Sequence, residues 1–305
     1  MSEPASEPGS QVAALRERLA TLVEIGRHPL ALEDRQNLPG AARTEALTFR
    51  TAQGERVDGR LTRPEGAGPF PTILYLHAHG GRYEIGAREL IDGRPALAGP
   101  LGAELAQRGY AALAIDMPAF GSRQAPGESA RSKALLWRGR SLAAQMLGEQ
   151  HAALEWLTQQ DWADSRRIGL FGLSMGATLG YWLAAVEPRV ACVAHLCCYA
   201  DFNVLIDAGA HDLHGIYLTV PGLPDVASNG AIAGLVAPRP QFIGIGDQDP
   251  LTPPAAVDVA LAETRAAYLA ADAADRLTLH REPASGHVET PAMRRAMLVF
   301  FDKAL

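Results

Sequence analysis

The sequence predicts an α/β protein with a mostly parallel central sheet and helices on both faces. Short apolar, β-rich runs alternate with helix-length segments rich in Ala, Leu, Glu and Arg, an alternation typical of parallel sheets. One such run passes directly into a helical segment at a glycine-flanked serine. The composition, 48% hydrophobic and 20% charged, is that of an ordinary globular protein. A length of 305 residues fits one large domain, which we place at residues 46–305.

Residues 1–45 precede the alternation and are expected to form a tail and a helical extension. The opening "MSEPASEPGS" is acidic and proline-rich, without the cationic and apolar order of a secretion signal, so we expect a frayed tail. Apolar residues then recur at helical spacing until a stop at Gly26; they are Val12, Leu15, Leu19, Leu22 and Ile25. Next, "ALTFRT" and "RVDGRLTRP" flank a turn at Gln53 and Gly54, which predicts an antiparallel opening to the sheet.

The remaining elements follow in order along the chain. The predicted strands are "PTILYLH", "YAALAID", "RRIGLFG", "RVACVAHL", "RPQFIGIGD" and "RLTLHRE". The predicted helices are Pro95–Arg108, Ser141–Gln160, Met175–Val186, Pro254–Ala271 and Thr290–Ala304. Residues 120–140 and 200–238 break the alternation, and we expect irregular insertions that wall a substrate pocket. The candidate pocket residues, each with core packing as its alternative, are Trp137, Tyr199, Phe202, His214 and Tyr217.

The pentapeptide Gly172-Leu173-Ser174-Met175-Gly176 joins a predicted strand to a predicted helix. So tight a reversal forces the serine into a strained conformation, and glycines on each side remove side chains that would clash. The hydroxyl is thereby raised above the carboxyl end of the sheet, next to the free N–H groups of a helix. Ser174 is therefore a candidate nucleophile for acyl transfer, and the alternative is a serine that only caps the helix.

A nucleophilic serine needs a base, and the base needs an acid that holds its tautomer. The strand "QFIGIG" is followed by Asp247 and Asp249, and we choose Asp249 because prolines fix the loop after it. Asp247, expected to bond loop backbone, remains the alternative acid. His287 follows the last strand and is the candidate base, against the alternative of a surface-loop histidine. His280, inside that strand, is expected to pack or to face solvent.

An acyl-transfer site also needs backbone donors for the oxyanion. We assign them to the N–H groups of Met175, after the serine, and of His79, in the loop "LHAHGGRYEIG". Gly80 and Gly81 let this backbone approach a ligand closely. His77 and His79 lack a third metal ligand nearby, so hydrogen bonding within the loop is the preferred interpretation.

Together these segments resemble the α/β-hydrolase superfamily, in particular its dienelactone hydrolase-like and acetyl xylan esterase-like serine hydrolases. The resemblance extends from about Ala46 to the C-terminus and includes "LHAHGG", "AIDMPAFGSR", "GLSMG", "HGIYLTVPGL", "GDQDPLTPP" and "SGH". It implies ester hydrolysis through an acyl-enzyme without metal or cofactor, with Ser174, Asp249 and His287 as the triad. Asp116 matches a position that the family uses structurally. Dienelactone hydrolases proper have cysteine where this chain has Ser174, which puts lactone specificity in doubt.

The expected function is therefore hydrolysis of small or medium acyl esters. The alternatives are a lactonase or peptidase with the same triad, and a catalytically silent binding protein of this fold. A formal charge of −6 without a basic stripe excludes nucleic acid as an expected partner, and no membrane partner is expected. Cys192, Cys197 and Cys198 are expected to be buried and unpaired, which fits a cytoplasmic protein. Homo-oligomerisation is left open.

Overall fold

A computed structural model describes residues 8–40 and 42–305. Most of the predicted tail, residues 1–7, lies outside the described residues. Within the described ranges, nine strands form one sheet in the order β1-β2-β3-β5-β4-β6-β7-β8-β9. The strands are β1 (Leu30–Leu38), β2 (Arg43–Thr51), β3 (Arg56–Arg63), β4 (Phe70–Leu76), β5 (Ala111–Ile115), β6 (Ala163–Leu173), β7 (Cys192–Leu196), β8 (Gln241–Gly246) and β9 (Leu277–Glu282).

The sheet changes from antiparallel to parallel pairing at β5. β1, β2 and β3 pair antiparallel, and β3 also pairs antiparallel with β5. From β5 through β4 to β9 every pairing is parallel. The antiparallel opening and the mostly parallel sheet were both predicted from the sequence, and both are confirmed.

Helices cover both faces of this sheet. They are α1 (Pro8–Leu22), α2 (Glu89–Asp92), α3 (Gly102–Gln107), α4 (Glu128–Leu136), α5 (Leu142–Thr158), α6 (Met175–Val186), α7 (Phe202–Asp207), α8 (Leu223–Val226), α9 (Asn229–Gly234), α10 (Pro254–Ala270) and α11 (Pro291–Ala304). Strand β4 shows the two faces, because its side chains alternate between them. Leu74 and Leu76 join the core under α5 and α6, whereas Ile73 and Tyr75 join the core under α3 and α11.

Three sequence predictions are corrected. Strand β1 lies within the segment expected to hold only a tail and a helix; it was missed because this edge strand is charged and largely exposed. The helix expected at Pro95–Arg108 is reduced to α3, because Gly99, at φ 137°, and Pro100 interrupt the helical pattern. Residues 120–140 and 200–238 are not irregular, since they contain α4, α7, α8 and α9, and these helices are too short to show a clear period.

Several sequence expectations about single residues hold in the structure. Cys192, Cys197 and Cys198 are buried and unpaired, and burial raises the pKa of each thiol. Asp116 accepts hydrogen bonds from the N–H groups of Ala87 (2.7 Å) and Ser122 (2.7 Å), so it joins two loops as a structural residue. None of the helices in the described part of the chain has the length and apolar composition needed to cross a bilayer.

Candidate active site

Ser174 lies at the junction of β6 and α6, where the chain reverses direction. Its backbone has φ 58° and ψ −120°, a region that residues with a side chain rarely occupy and that costs about 1–3 kcal/mol. The Ser174 side chain forms no capping hydrogen bond to α6, in contrast to Ser141 at the start of α5. The capping interpretation therefore has no support, and the hydroxyl remains available for another partner.

The glycines on each side of this serine are required by close backbone contacts. A Cβ atom on Gly172 would lie 2.0 Å from the carbonyl oxygen of Gly176, and one on Gly176 would lie 1.9 Å from that of Leu76. The first turn of α6 is thus pressed against the end of β4. This contact brings the residue after the serine next to the loop that follows β4.

We expect Gly176→Ala to destabilise the protein strongly, because the added methyl group has only backbone to displace. Overpacking of this kind costs about 1–3 kcal/mol and occasionally more. Gly180→Ala in the same helix is a matched control, because its Cβ would make an ordinary 4.0 Å contact with Val193. Thermal unfolding should show a clearly lower Tm for Gly176→Ala alone. Equal Tm values for the two variants would contradict the close contact.

The structure brings Ser174, His287 and Asp249 together from three separate loops. His287 Nε2 lies 2.8 Å from Ser174 Oγ, and His287 Nδ1 lies 2.6 Å from Asp249 Oδ2. Asp249 is 2% exposed, and its Oδ1 accepts a hydrogen bond from the N–H of Leu251 at 2.9 Å. A carboxylate acceptor at Nδ1 places the ring proton there, so Nε2 is free to accept a proton from the serine.

The alternative acid, Asp247, is directed to a different partner. Its carboxylate pairs with Arg281 at 2.5 Å, so the expectation that it would bond loop backbone is wrong. The reason is that β8 and β9 are adjacent, which brings Asp247 and Arg281 to the same edge of the sheet. His280 pairs with Glu282 at 2.8 Å in β9 and lies outside the triad.

The loop after β4 carries the second predicted oxyanion donor. Among the described residues, the backbone N–H groups of His79 and Met175 have no hydrogen-bond acceptor. Gly80 and Gly81 have φ of 54° and 67°, which lets the chain turn sharply immediately after His79. Two unpaired donors, one in this loop and one after the serine, match the requirement for binding an oxyanion.

His77 is bonded within the loop region, as expected, since its Nδ1 lies 3.1 Å from the carbonyl oxygen of Ala78. It is fully buried, and burial lowers its pKa to about 3, which keeps the imidazole neutral. Its Nε2 accepts a hydrogen bond from the N–H of Met117 at 3.0 Å. His77 therefore ties the loop after β4 to the loop after β5.

Sequence reasoning missed the charged residues that support this loop. The Glu89 carboxylate accepts from the N–H of Ala78 at 3.1 Å and pairs with Arg94 at 2.5 Å. Arg94 in turn donates to the carbonyl oxygen of Ala78 at 3.0 Å, so both ends of one residue are fixed. A further carboxylate, Glu128, lies 3.0 Å from the His79 ring. In the sequence each is a single charged residue outside the predicted helices and strands, and such residues are common on any surface.

The candidate pocket residues lie in different environments. Phe202 and His214 line a cavity of about 480 Å³ together with apolar residues such as Leu205, Ile216 and Leu218. Tyr217 is buried and stacks on the His79 ring. Tyr199 instead follows the alternative, because it lies in the core. Trp137, at the end of α4, is 90% exposed, so it lies neither in the core nor in that cavity.

The positions of these two aromatic residues follow from the local packing. Trp137 is the first residue after the short helix α4 and projects from its exposed end. The Tyr199 hydroxyl is bonded to Thr264 of α10 at 2.6 Å, so this side chain is directed between helices. An aromatic residue near a strand end is thus as well suited to core packing as to a pocket.

Within the described residues, His151, Glu155 and Glu187 are close enough together to hold a metal ion. Arg189 already contacts both carboxylates of this group. The guanidinium supplies the positive charge that a cation would bring, so the group is satisfied as an ion-pair network.

Comparisons with known proteins agree with this geometry. Residues 53–235 match the family described as X-Pro dipeptidyl-peptidase (S15 family). YtaP of Bacillus subtilis (strain 168), a hydrolase by name, is 38% identical over 239 residues, which are 78% of this chain and 80% of YtaP. Esterase FrsA of Klebsiella pneumoniae (strain 342) is 28% identical over 243 residues, or 72% of this chain, but the match spans only 51% of FrsA.

Solved structures show the same fold. The acetyl xylan esterase from Paenibacillus sp. R4 superimposes with a TM-score of 0.69 at 18% identity, covering 100% of this chain and 97% of that one. This likeness confirms the predicted fold class, and the family match covers more than half of the chain. The chain therefore belongs to the X-Pro dipeptidyl-peptidase (S15) family and is a hydrolase of the α/β-hydrolase superfamily.

Proposed function

We propose that this hydrolase cleaves carboxylic esters of small to medium acyl groups, with Ser174 as nucleophile, His287 as base and Asp249 as acid. The observation that carries the proposal is the continuous chain of hydrogen bonds from Asp249 through His287 to Ser174, at 2.6 and 2.8 Å. Such a chain activates a hydroxyl that is otherwise a poor nucleophile. The esterases among the relatives and the neighbouring structures support the substrate class.

The mechanism follows from the positions of these atoms. Ser174 Oγ attacks the ester carbonyl carbon while its proton passes to His287 Nε2, and the resulting oxyanion accepts hydrogen bonds from the N–H groups of His79 and Met175. The C–O bond to the alcohol then breaks, and His287 returns the proton to the leaving oxygen. Water repeats the attack on the acyl-enzyme with His287 as base, which releases the acid and restores Ser174.

The site of acyl or alcohol binding is proposed at the segment that contains His214 and Tyr217. His214 Nε2 is 2.9 Å from the carbonyl oxygen of Leu251, in the loop of the acid. Gly215 lies against the His79 ring, since a Cβ atom there would be 3.0 Å from Nε2. The segment therefore runs from the acid loop to the oxyanion loop, and the apolar cavity of about 480 Å³ adjoins it. A volume of this size suits a small or medium substituent.

The test is labelling with a fluorophosphonate, followed by peptide mapping, together with hydrolysis of p-nitrophenyl esters from acetate to octanoate. We expect a single label on Ser174 and turnover that declines for the longer chains. Chain-length discrimination should be modest, about 1–3 kcal/mol per methylene at most. A label elsewhere, or no label and no turnover, would contradict the proposed mechanism and favour a silent binding protein.

A second candidate, amide cleavage after proline, is favoured by the description of the family that the chain matches. The same triad could carry it, because acyl transfer from an amide needs the same nucleophile and oxyanion donors. An X-Pro p-nitroanilide assayed beside the esters distinguishes the two. A kcat/KM for the anilide above that of every ester would replace the ester proposal with the peptidase.

A further inference from the structure

The tautomer of His79 is fixed by its two ring nitrogens. The N–H of Gly81 lies 3.0 Å from Nδ1, so Nδ1 is an acceptor and carries no proton. Nε2 must then carry the proton in the neutral ring, and it faces Glu128 Oε2 at 3.0 Å. The hydrogen bond from Nε2–H to Glu128 therefore favours the tautomer with the proton on Nε2. In that tautomer Nδ1 is free to accept from the N–H of Gly81.

Glu128 is equipped to serve as a permanent acceptor at this position. It is the first residue of α4, it is 7% exposed, and it also accepts from the Tyr83 hydroxyl at 2.6 Å and the N–H of Tyr217 at 3.3 Å. Burial would raise the pKa of Glu128, but hydrogen bonds from His79 and Tyr83 outweigh it and hold the pKa below its usual value. The carboxylate therefore stays ionised. Burial and the Glu128 charge raise the pKa of Tyr83 to about 12, so its phenol remains a donor.

Packing around the His79 ring leaves it little freedom. The rings of Phe120, Tyr83 and Tyr217 lie 5.1, 5.2 and 5.7 Å from it, centroid to centroid. These rings come from three separate loops, and Glu128 contacts residues of two of them. The ring of His79 is thus held by apolar contact on its faces and by charged or backbone groups at both nitrogens.

We propose that Glu128 is a positioning residue that acts through the His79 ring to hold the backbone N–H of His79 at the oxyanion. The inference rests on the proposed function, because it assigns that N–H to transition-state binding. A donor stabilises the transition state only when it is fixed beforehand, since reorientation would consume the energy gained. Glu128 supplies that rigidity from the insertion at residues 120–140, without contact to the reacting atoms.

The test compares Glu128→Gln with Tyr83→Phe, which removes one bond to the same carboxylate but leaves the His79 pair intact. Glutamine is neutral, so the His79 Nε2–H loses its charged acceptor, and the amide NH₂ of glutamine must oppose at least one of the three donors. We expect Glu128→Gln to lower kcat for p-nitrophenyl butyrate about ten- to hundredfold. This is less than the about 10²- to 10³-fold decrease in kcat that follows removal of a whole oxyanion donor. KM should change less than about threefold, since ground-state binding is unaffected. Tyr83→Phe should remain within about threefold of wild type in kcat.

A trifluoromethyl ketone reports the oxyanion site directly, because its adduct with serine carries a tetrahedral oxyanion. Its inhibition constant should rise in Glu128→Gln by the same factor as kcat falls. In a His79→Phe background, which keeps an aromatic ring and the backbone N–H but removes both ring nitrogens, Glu128→Gln should change the inhibition constant no more than about twofold. The proposal would be overturned if the double variant lost ketone affinity by the product of the two single-variant factors. An unchanged inhibition constant in Glu128→Gln would also overturn it.

The test still decides if Glu128→Gln does not fold, and it distinguishes failure of this proposal from failure of the proposed function. Should Glu128→Gln not fold, as judged by its Tm, His79→Phe alone decides the matter. It must lose affinity for the ketone, and unchanged affinity overturns the proposal. A wild-type protein that neither labels nor turns over ester contradicts the proposed function itself, whereas active wild type with fully active Glu128→Gln contradicts only the role of Glu128.

Discussion

Ser174→Ala is expected to reduce ester turnover by about 10⁶-fold, to the level that oxyanion and substrate binding alone provide. The only hydroxyl within 2.8 Å of His287 Nε2 in the described residues is lost, so no acyl-enzyme can form. The fold should be retained, because the Ser174 side chain makes no capping bond and the removal of one oxygen leaves little space. The measurement is the steady-state rate with p-nitrophenyl butyrate, with Tm as the measure of folding.

Ser165→Ala is the matched control for this experiment. Ser165 lies in β6, the strand that leads to Ser174, but its side chain is exposed. Its substitution should leave both turnover and fluorophosphonate labelling unchanged. Near-normal turnover in Ser174→Ala would remove the basis of the proposed mechanism, whatever the labelling result.

The fold was largely predictable because its signal is repeated along the chain. Parallel strands buried on both faces are nearly continuous apolar runs. β6, β8 and β9 also lead into helices long enough to show a period. Strand β1 lacked that signal, since an exposed edge strand has no buried face to impose alternation. The short helices of the insertions lacked it too, because four to nine residues span only about one to two and a half turns.

The candidate site was predictable to the extent that it depends on chain order and glycine. Gly172 and Gly176 reveal the serine turn because nothing larger fits, and Asp249 and His287 follow strands in the order that this fold requires. The supporting residues Glu89, Arg94 and Glu128 could not be found in this way. Their positions depend on how separate loops pack against the oxyanion loop, and no local spacing records that packing.

Asp249→Asn is expected to lower turnover by about 10⁴-fold with little change in the fold. Asp249 accepts through both oxygens, from Leu251 N–H by Oδ1 and from His287 Nδ1 by Oδ2. An asparagine that keeps its carbonyl oxygen on Leu251 must present its NH₂ group to Nδ1. The ring then holds its proton on Nε2 instead, where it cannot accept the proton of Ser174.

Asp247→Asn is the paired control that decides between the two carboxylates of this loop. Asp247 pairs with Arg281 at a partly exposed position, and such pairs contribute about 0–1 kcal/mol, so turnover should stay within about twofold of wild type. The comparison uses kcat/KM of both variants on one ester, with fluorophosphonate labelling of Ser174 as a second readout. Slow labelling in Asp249→Asn but not in Asp247→Asn is expected, because labelling also needs the serine proton to be accepted. If Asp247→Asn were the impaired variant, the acid would have to be reassigned and the 2.6 Å contact of His287 with Asp249 would not be the catalytic one.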